Sequence, residues 1–100
     1  MAGAELRENL TFDELRVGAQ ASLSRVITEQ DIASFAAVSG DTNPAHLDPD
    51  FAAQERFGGV VAHGMLSGAL ISTVLGTRLP GPGTIYVAQD LQFLHPVRIG

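Results

Sequence analysis

The sequence predicts an α+β domain in which a long helix lies against an antiparallel sheet. Residues 18–28 alternate between small or apolar and polar side chains. Residues 64–79 form one long, mostly apolar helical stretch, and residues 84–100 are rich in strand formers. With 100 residues, the chain has the length of one ordinary domain.

Taken in order, residues 1–11 read as a lead-in before the domain proper, which is assigned to residues 12–100. In "GAQASLSRVIT", Ala19, Ala21 and Leu23 alternate with Gln20, Ser22 and Ser24, the pattern of a strand with one covered face. Thr28 is placed to cap a helix whose first turn carries Glu29 and Asp31, where the helix dipole favours negative charge. Ile32, Phe35, Ala36 and Ser39 then share a face at helical spacing, and Gly40 is a typical helix-closing residue. Asn43-Pro44 turns the chain, because proline biases the residue before it away from helical geometry.

Asp48-Pro49 starts a second helix, "PDFAAQERFG", expected to end at Gly58-Gly59. The main helix runs from Gly64 to Leu79. Met65, Leu66, Leu70, Ile71, Val74 and Leu75 surround most of its cylinder, so it is expected to be buried on most sides. "LPGPGT" stops it. Strand-like segments follow, broken at His95-Pro96. Two or three strands are few to wrap such a helix, so the sheet is expected to be incomplete, with its last strands absent.

Composition narrows the function. The sequence is 45% hydrophobic and 17% charged, with a formal net charge of −5, six arginines and no lysine. A nucleic-acid surface, which needs basic residues to neutralise phosphates, is not expected. Lysine Schiff-base chemistry has no residue to use. There is no cysteine, hence no disulfide frame, thiolate nucleophile or cysteine metal site. The acidic, polar first ten residues lack the apolar core of a signal peptide. Residues 60–79 are interrupted too often by polar residues to suggest a membrane span. A cytoplasmic protein is expected.

The chemistry concentrates in "SGDTNPAHLD". Asp41 and His46 would point about 140° apart on one continuous helix of ~3.6 residues per turn. Bent at Asn43-Pro44, they can face one pocket, and aspartate with histidine is a common acid–base pair. Taken alone, the stretch slightly favours a plainer reading, with Asp41 capping a turn and His46 partly buried. Gly64 opens the long helix, where free backbone N–H groups could meet a developing oxyanion; it could as well simply start the helix. His63 reads as a packed histidine at the mouth of that helix rather than a catalytic one. Ser67 and Ser72 sit mid-helix, where hydroxyls usually bond back to a carbonyl. Asp41, His46, His63 and His95 show no paired metal-ligand spacing, so no metal is expected.

Together, "FAAVSGDTNPAHLDPDFAA", "VVAHGMLSGALIS", "LPGPGTIY" and "LQFLHPVRIG" resemble the MaoC-like (R)-specific enoyl-CoA hydratases, the hydratase-2 family of the hot-dog fold. The resemblance runs from about residue 12 to the end, and it is similar in particular to the N-terminal hydratase part of bifunctional enoyl-CoA hydratase/phosphate acetyltransferases. It implies a hot-dog fold, a long central helix wrapped by an antiparallel sheet. It also implies syn addition of water to a trans-2-enoyl-CoA, giving an (R)-3-hydroxyacyl-CoA. Asp41 and His46 take the family's catalytic positions, Gly64 its oxyanion glycine, and Asn43 and Ser72 substrate-side positions. Neither cofactor nor metal is implied, since the coenzyme A thioester is the substrate; a homodimer or larger oligomer is. Family members continue some forty residues further, which implies a fragment of a longer protein. A thioesterase or a non-catalytic acyl-binding or dimerisation module on the same fold remains an alternative.

Overall fold

The computed structural model describes residues 9–100, so residues 1–8 of the expected lead-in lie outside the described residues. The described residues divide into two compact units: residues 9–24 with 69–90, and residues 25–68 with 91–100.

In the first unit, Thr11 and Glu14 frame a single 3-10 turn, Phe12–Glu14. The Glu14 carboxylate accepts from the Thr11 N–H at 3.0 Å and from its hydroxyl at 2.9 Å. These bonds hold its pKa below the ordinary carboxylate value, the backbone N–H contributing most. Leu10 N–H donates to Pro80 O at 2.8 Å, so the described end of the lead-in is tied to the "LPGPG" turn. The Arg78 guanidinium donates to Ser22 O in the same unit.

Among the described residues, three α-helices lie entirely in the second unit. Helix α1, Glu29–Ser39, begins where the sequence placed it. Thr28 accepts from Asp31 N–H at 3.2 Å, and the Asp31 carboxylate accepts from Thr28 N–H at 3.0 Å, a reciprocal capping box. Gly40 closes the helix in the left-handed conformation, φ 77°, which costs glycine nothing. Ile32 and Ala36 are its buried residues. Phe35 is half-buried, while Ser39 is exposed rather than on the covered face.

The Asp31 pKa is lowered, chiefly by the Thr28 N–H bond, then by the Thr28 side chain and by Arg25, whose Nη2 lies 2.6 Å from Oδ1. A carboxylate with a depressed folded-state pKa stabilises the fold above its unfolded value of about 3.8 and loses that contribution as pH falls through the folded pKa. We therefore expect denaturant melts from pH 5 to pH 2 to show a loss of stability that is smaller in Asp31→Asn. An identical slope in wild type and variant would remove this cap from the acid response.

Two short helices follow. The sequence reading made Asn43-Pro44 a bend within a loop, but residues Pro44–Leu47 form a one-turn helix, α2. Asn43 Oδ1 accepts from Ala45 N–H at 3.0 Å and Pro44 takes the first helical position. Proline's fixed φ suits that position, so the bend and the helix start coincide. Helix α3, Pro49–Ala53, starts as expected, with Asp48 accepting from Asp50 and Phe51 N–H. It ends at Ala53, five residues short of the Gly58-Gly59 stop read from the sequence; residues 54–59 are turns and bends.

The long helix α4, Gly64–Thr77, opens in the second unit and continues in the first. Its C-terminus is closed by Arg78 and Leu79 N–H, which both reach Val74 O at 3.0 Å. Burial on most sides does not hold: Gly68 alone is buried along it, and Met65 is 50% exposed. Apolar side chains run around the whole cylinder, and the described residues cover only part of it.

Among the described residues no strand forms in residues 18–28, and residues 84–100 contribute one bridging residue, Arg98. Among the described residues the sheet is represented by one antiparallel bridge, Val61 with Arg98, supported by Ala62 N–H donating to Val97 O at 2.8 Å. Within residues 18–28, Leu23 and Ile27 are the less exposed positions, and Ala19 and Ala21 lie open to solvent. Alternation marks a segment that fits a half-covered sheet face, but a strand is stabilised by a cross-strand ladder, and the described C-terminal segment gives this one a single backbone bond, Gly100 N–H to Ile27 O at 2.9 Å. Among the described residues, no helix is long and apolar enough to cross a membrane.

Candidate active site

The site lies wholly within the second unit and is assembled from the three short stretches around α1, α2 and the mouth of α4. Gly40 ends α1 and turns the chain. Asp41 N–H then donates to Ser39 Oγ at 3.1 Å, and Asp41 Oδ1 accepts from Asn43 N–H at 3.2 Å. These local bonds fix the Asp41 carboxylate one turn before α2, with 54% of its side chain still exposed. Asn43 is used as the α2 cap, so its side-chain oxygen is committed to the backbone.

The α2 turn carries His46 towards the extended segment before α4. Its Nδ1 lies 2.6 Å from Val61 O. A carbonyl only accepts, so Nδ1 carries the hydrogen, and in the neutral ring Nε2 is left with its lone pair free to act as a base. His63 is 3% exposed. Its Nε2 lies 2.9 Å from Asp41 O and is, by the same argument, the protonated nitrogen. The two imidazoles stack with centroids 3.9 Å apart and planes at 27°, and Phe35 backs His63 at 4.9 Å.

A carboxylate oxygen of Asp41 and one ring nitrogen from each histidine lie within 4.8 Å of one another. A single water can bridge that separation with two hydrogen bonds of ~2.8 Å. The same three residues could be read as a metal set, although His63 Nε2 is already taken up by Asp41 O.

Gly64 is the first residue of α4, and its N–H has no acceptor among the described residues. It shares with His46, His63, Ser67 and Phe93 the wall of a cavity of about 320 Å³. A side chain at residue 64 would intrude there: a Cβ built on Gly64 falls 3.0 Å from the Phe93 ring. The absence of a Cβ thus allows close packing of Phe93 and leaves the helix N-terminus open to a ligand. His46 also borders a second cavity of about 470 Å³, lined by Ile32, Leu47 and Arg98 among others.

Of the residues singled out from the sequence, His46 and Gly64 line one cavity, while Asp41 lines neither and is joined to them through its contact with His63. Ser72 is exposed on α4 and does not line either cavity, whereas Ser67 does. The residues that sequence reasoning undervalued are His63 and Phe93. The signal for His63 was its place immediately before Gly64; nothing in the local pattern of "LQFLHP" singled out Phe93.

Comparison with known proteins decides the family: the description "MaoC like domain" matches residues 14–100. The chain belongs to the MaoC-like domain family. This MaoC-like chain is 56% identical over 89 residues to an (R)-specific enoyl-CoA hydratase of Rhodospirillum rubrum, covering 89% of this chain and 62% of the relative. It is 46% identical over 91 residues to an (R)-specific enoyl-CoA hydratase of Aeromonas caviae, covering 91% and 68%. An unliganded R-hydratase structure from Pseudomonas aeruginosa superposes with a TM-score of 0.86 at 54% identity, covering 92% of this chain and 59% of that one. The chain therefore has the α+β hot-dog fold of its MaoC-like relatives, and spans about three-fifths of the length of the first two proteins and structures it matches.

Proposed function

We propose that this chain forms the catalytic part of an (R)-specific enoyl-CoA hydratase, a hydro-lyase adding water reversibly to a trans-2-enoyl-CoA. The single observation that carries this reading is the Asp41–His46 pair, whose polar atoms sit one water apart beside the open N-terminus of α4. A water held between the Asp41 carboxylate and His46 Nε2 adds its oxygen to C3 of the enoyl thioester. The proton it gives up goes to the pair, and a proton from the pair reaches C2 on the same face, so that one water is consumed and no charge is left over. Negative charge gathers on the thioester oxygen as C3 is attacked. The Gly64 N–H, reinforced by the helix dipole, is positioned to bind it.

None of these steps draws on a cofactor or metal. The acyl-CoA is the substrate; Asn43 acts by capping α2 under His46, and Ser72 is assigned to the substrate side by resemblance alone. The exposed apolar residues of α4, Met65 and Ile71 among them, are consistent with a homodimer or larger oligomer. A cytoplasmic setting fits the cysteine-free sequence.

The test is to incubate the purified protein with crotonyl-CoA and resolve the product by chiral chromatography. We expect (R)-3-hydroxybutyryl-CoA. Release of free thiol without hydration would instead favour a thioesterase, and binding without turnover would favour an acyl-binding module.

A further inference from the structure

We propose that His63 is a positioning residue that fixes Asp41 and His46 relative to each other, an inference that rests on the hydratase reading above. One buried residue touches both members of the pair with its ring and is peptide-bonded through its main chain to the third group of the site. Its Nε2–H holds the main-chain oxygen of Asp41 at 2.9 Å, while Asp41 Oδ2 stands off at 4.0 Å. Its face lies against the His46 ring at 3.9 Å, and its carbonyl carbon bonds to the nitrogen of Gly64. Its carbonyl oxygen accepts from Leu66 N–H at 3.0 Å, which anchors the first turn of α4.

A residue serving only to fill space here would be apolar. His63 instead keeps Nδ1 buried with no partner among the described residues, a cost that packing does not require. What the imidazole adds over an apolar ring is the Nε2–H, and that hydrogen bond is aimed at the backbone of the residue whose carboxylate handles the water. Asp41 is otherwise held by bonds within its own turn, to Ser39 and Asn43, so His63 supplies the tie from this turn to the α4 side of the site.

Two amide substitutions separate this role from simple packing. Glutamine can place an N–H where the imidazole Nε2–H sits, whereas asparagine reaches only the Nδ1 position. In the intact protein we expect His63→Asn to lower kcat with crotonyl-CoA by ~10²-fold with KM within about threefold, since a misplacement near 1 Å costs on this order. We expect His63→Gln to recover most of the lost kcat. Amide hydrogen exchange at Asn43 gives a readout independent of turnover. It should speed up ~10-fold in His63→Asn, the size expected when one net hydrogen bond is lost, and stay near wild type in His63→Gln. Should asparagine at this buried position unfold the chain, His63→Phe keeps a ring against Phe35 and His46 without the donor and is expected to behave like His63→Asn.

If the wild type does not hydrate crotonyl-CoA, the hydratase reading fails while the exchange contrast still reports the tie. Equal kcat in the donor-bearing and donor-free variants overturns the positioning role, as does equal Asn43 exchange in the two.

Discussion

Asparagine in place of Asp41 is expected to reduce kcat for crotonyl-CoA hydration by ~10²–10⁴-fold, the usual contribution of a positioned acid–base group. The substitution is close to isosteric. The amide oxygen can still accept from Asn43 N–H at the position where Asp41 Oδ1 does so at 3.2 Å, so the turn that presents the side chain is kept. What disappears is the second carboxylate oxygen as a proton acceptor facing the histidines. His46→Gln is expected to fall into the same range. It removes the free Nε2 lone pair that the Nδ1 bond to Val61 O leaves available. Because the two groups act on one water, the double variant should lose little more than either single one. The measurement is steady-state turnover of the three variants beside melting curves that establish folding. Substantial turnover in both single variants would remove the pair from the mechanism.

The second large effect concerns an atom rather than a side chain. Gly64→Pro deletes the N–H at the first position of α4, where proline is otherwise tolerated because that N–H has no intrahelical partner. Gly64→Ala retains the N–H and supplies the matched comparison, since both variants bring a Cβ to about 3.0 Å from Phe93. Phe93 is 56% exposed, so its ring has room to give way in both. If the N–H binds the developing thioester oxyanion, proline should fall a further ~10²–10³-fold in kcat below alanine, or ~2.7–4 kcal/mol in transition-state stabilisation. Equal rates in the two variants would assign Gly64 to packing against Phe93 alone.

Much of the site was legible because its parts are local. Thr28, Gly40, Asn43-Pro44 and Asp48-Pro49 act within a few residues of themselves, and three of the four fixed the start or end of a helix as the sequence reading had it. The fourth, Asn43-Pro44, was given the right punctuation and the wrong element, since a capped turn and a one-turn helix share the same residues. Asp41, His46 and Gly64, singled out by motif, fall in one unit.

The sheet was less legible because β structure lies in pairings between distant residues. Alternation in residues 18–28 speaks to side-chain faces and carries no information about a hydrogen-bonding partner. Burial of α4 failed for a related reason. Apolar side chains state a demand for cover, and whether it is met depends on what else reaches them. His63 was undervalued because its contacts span 17 and 22 residues of sequence, to His46 and Asp41.

Val61 shows how the site is written into the chain. Its carbonyl sets the His46 tautomer, its N–H reaches Ala45 O at 3.4 Å, and it bridges to Arg98, all through main-chain atoms. The side chain at residue 61 only has to fill its buried space. The genetic code can therefore drift there among apolar residues of similar volume without altering which nitrogen of His46 is basic. Inheritance of the histidine's chemical state rests on a peptide group, which no single codon change can remove.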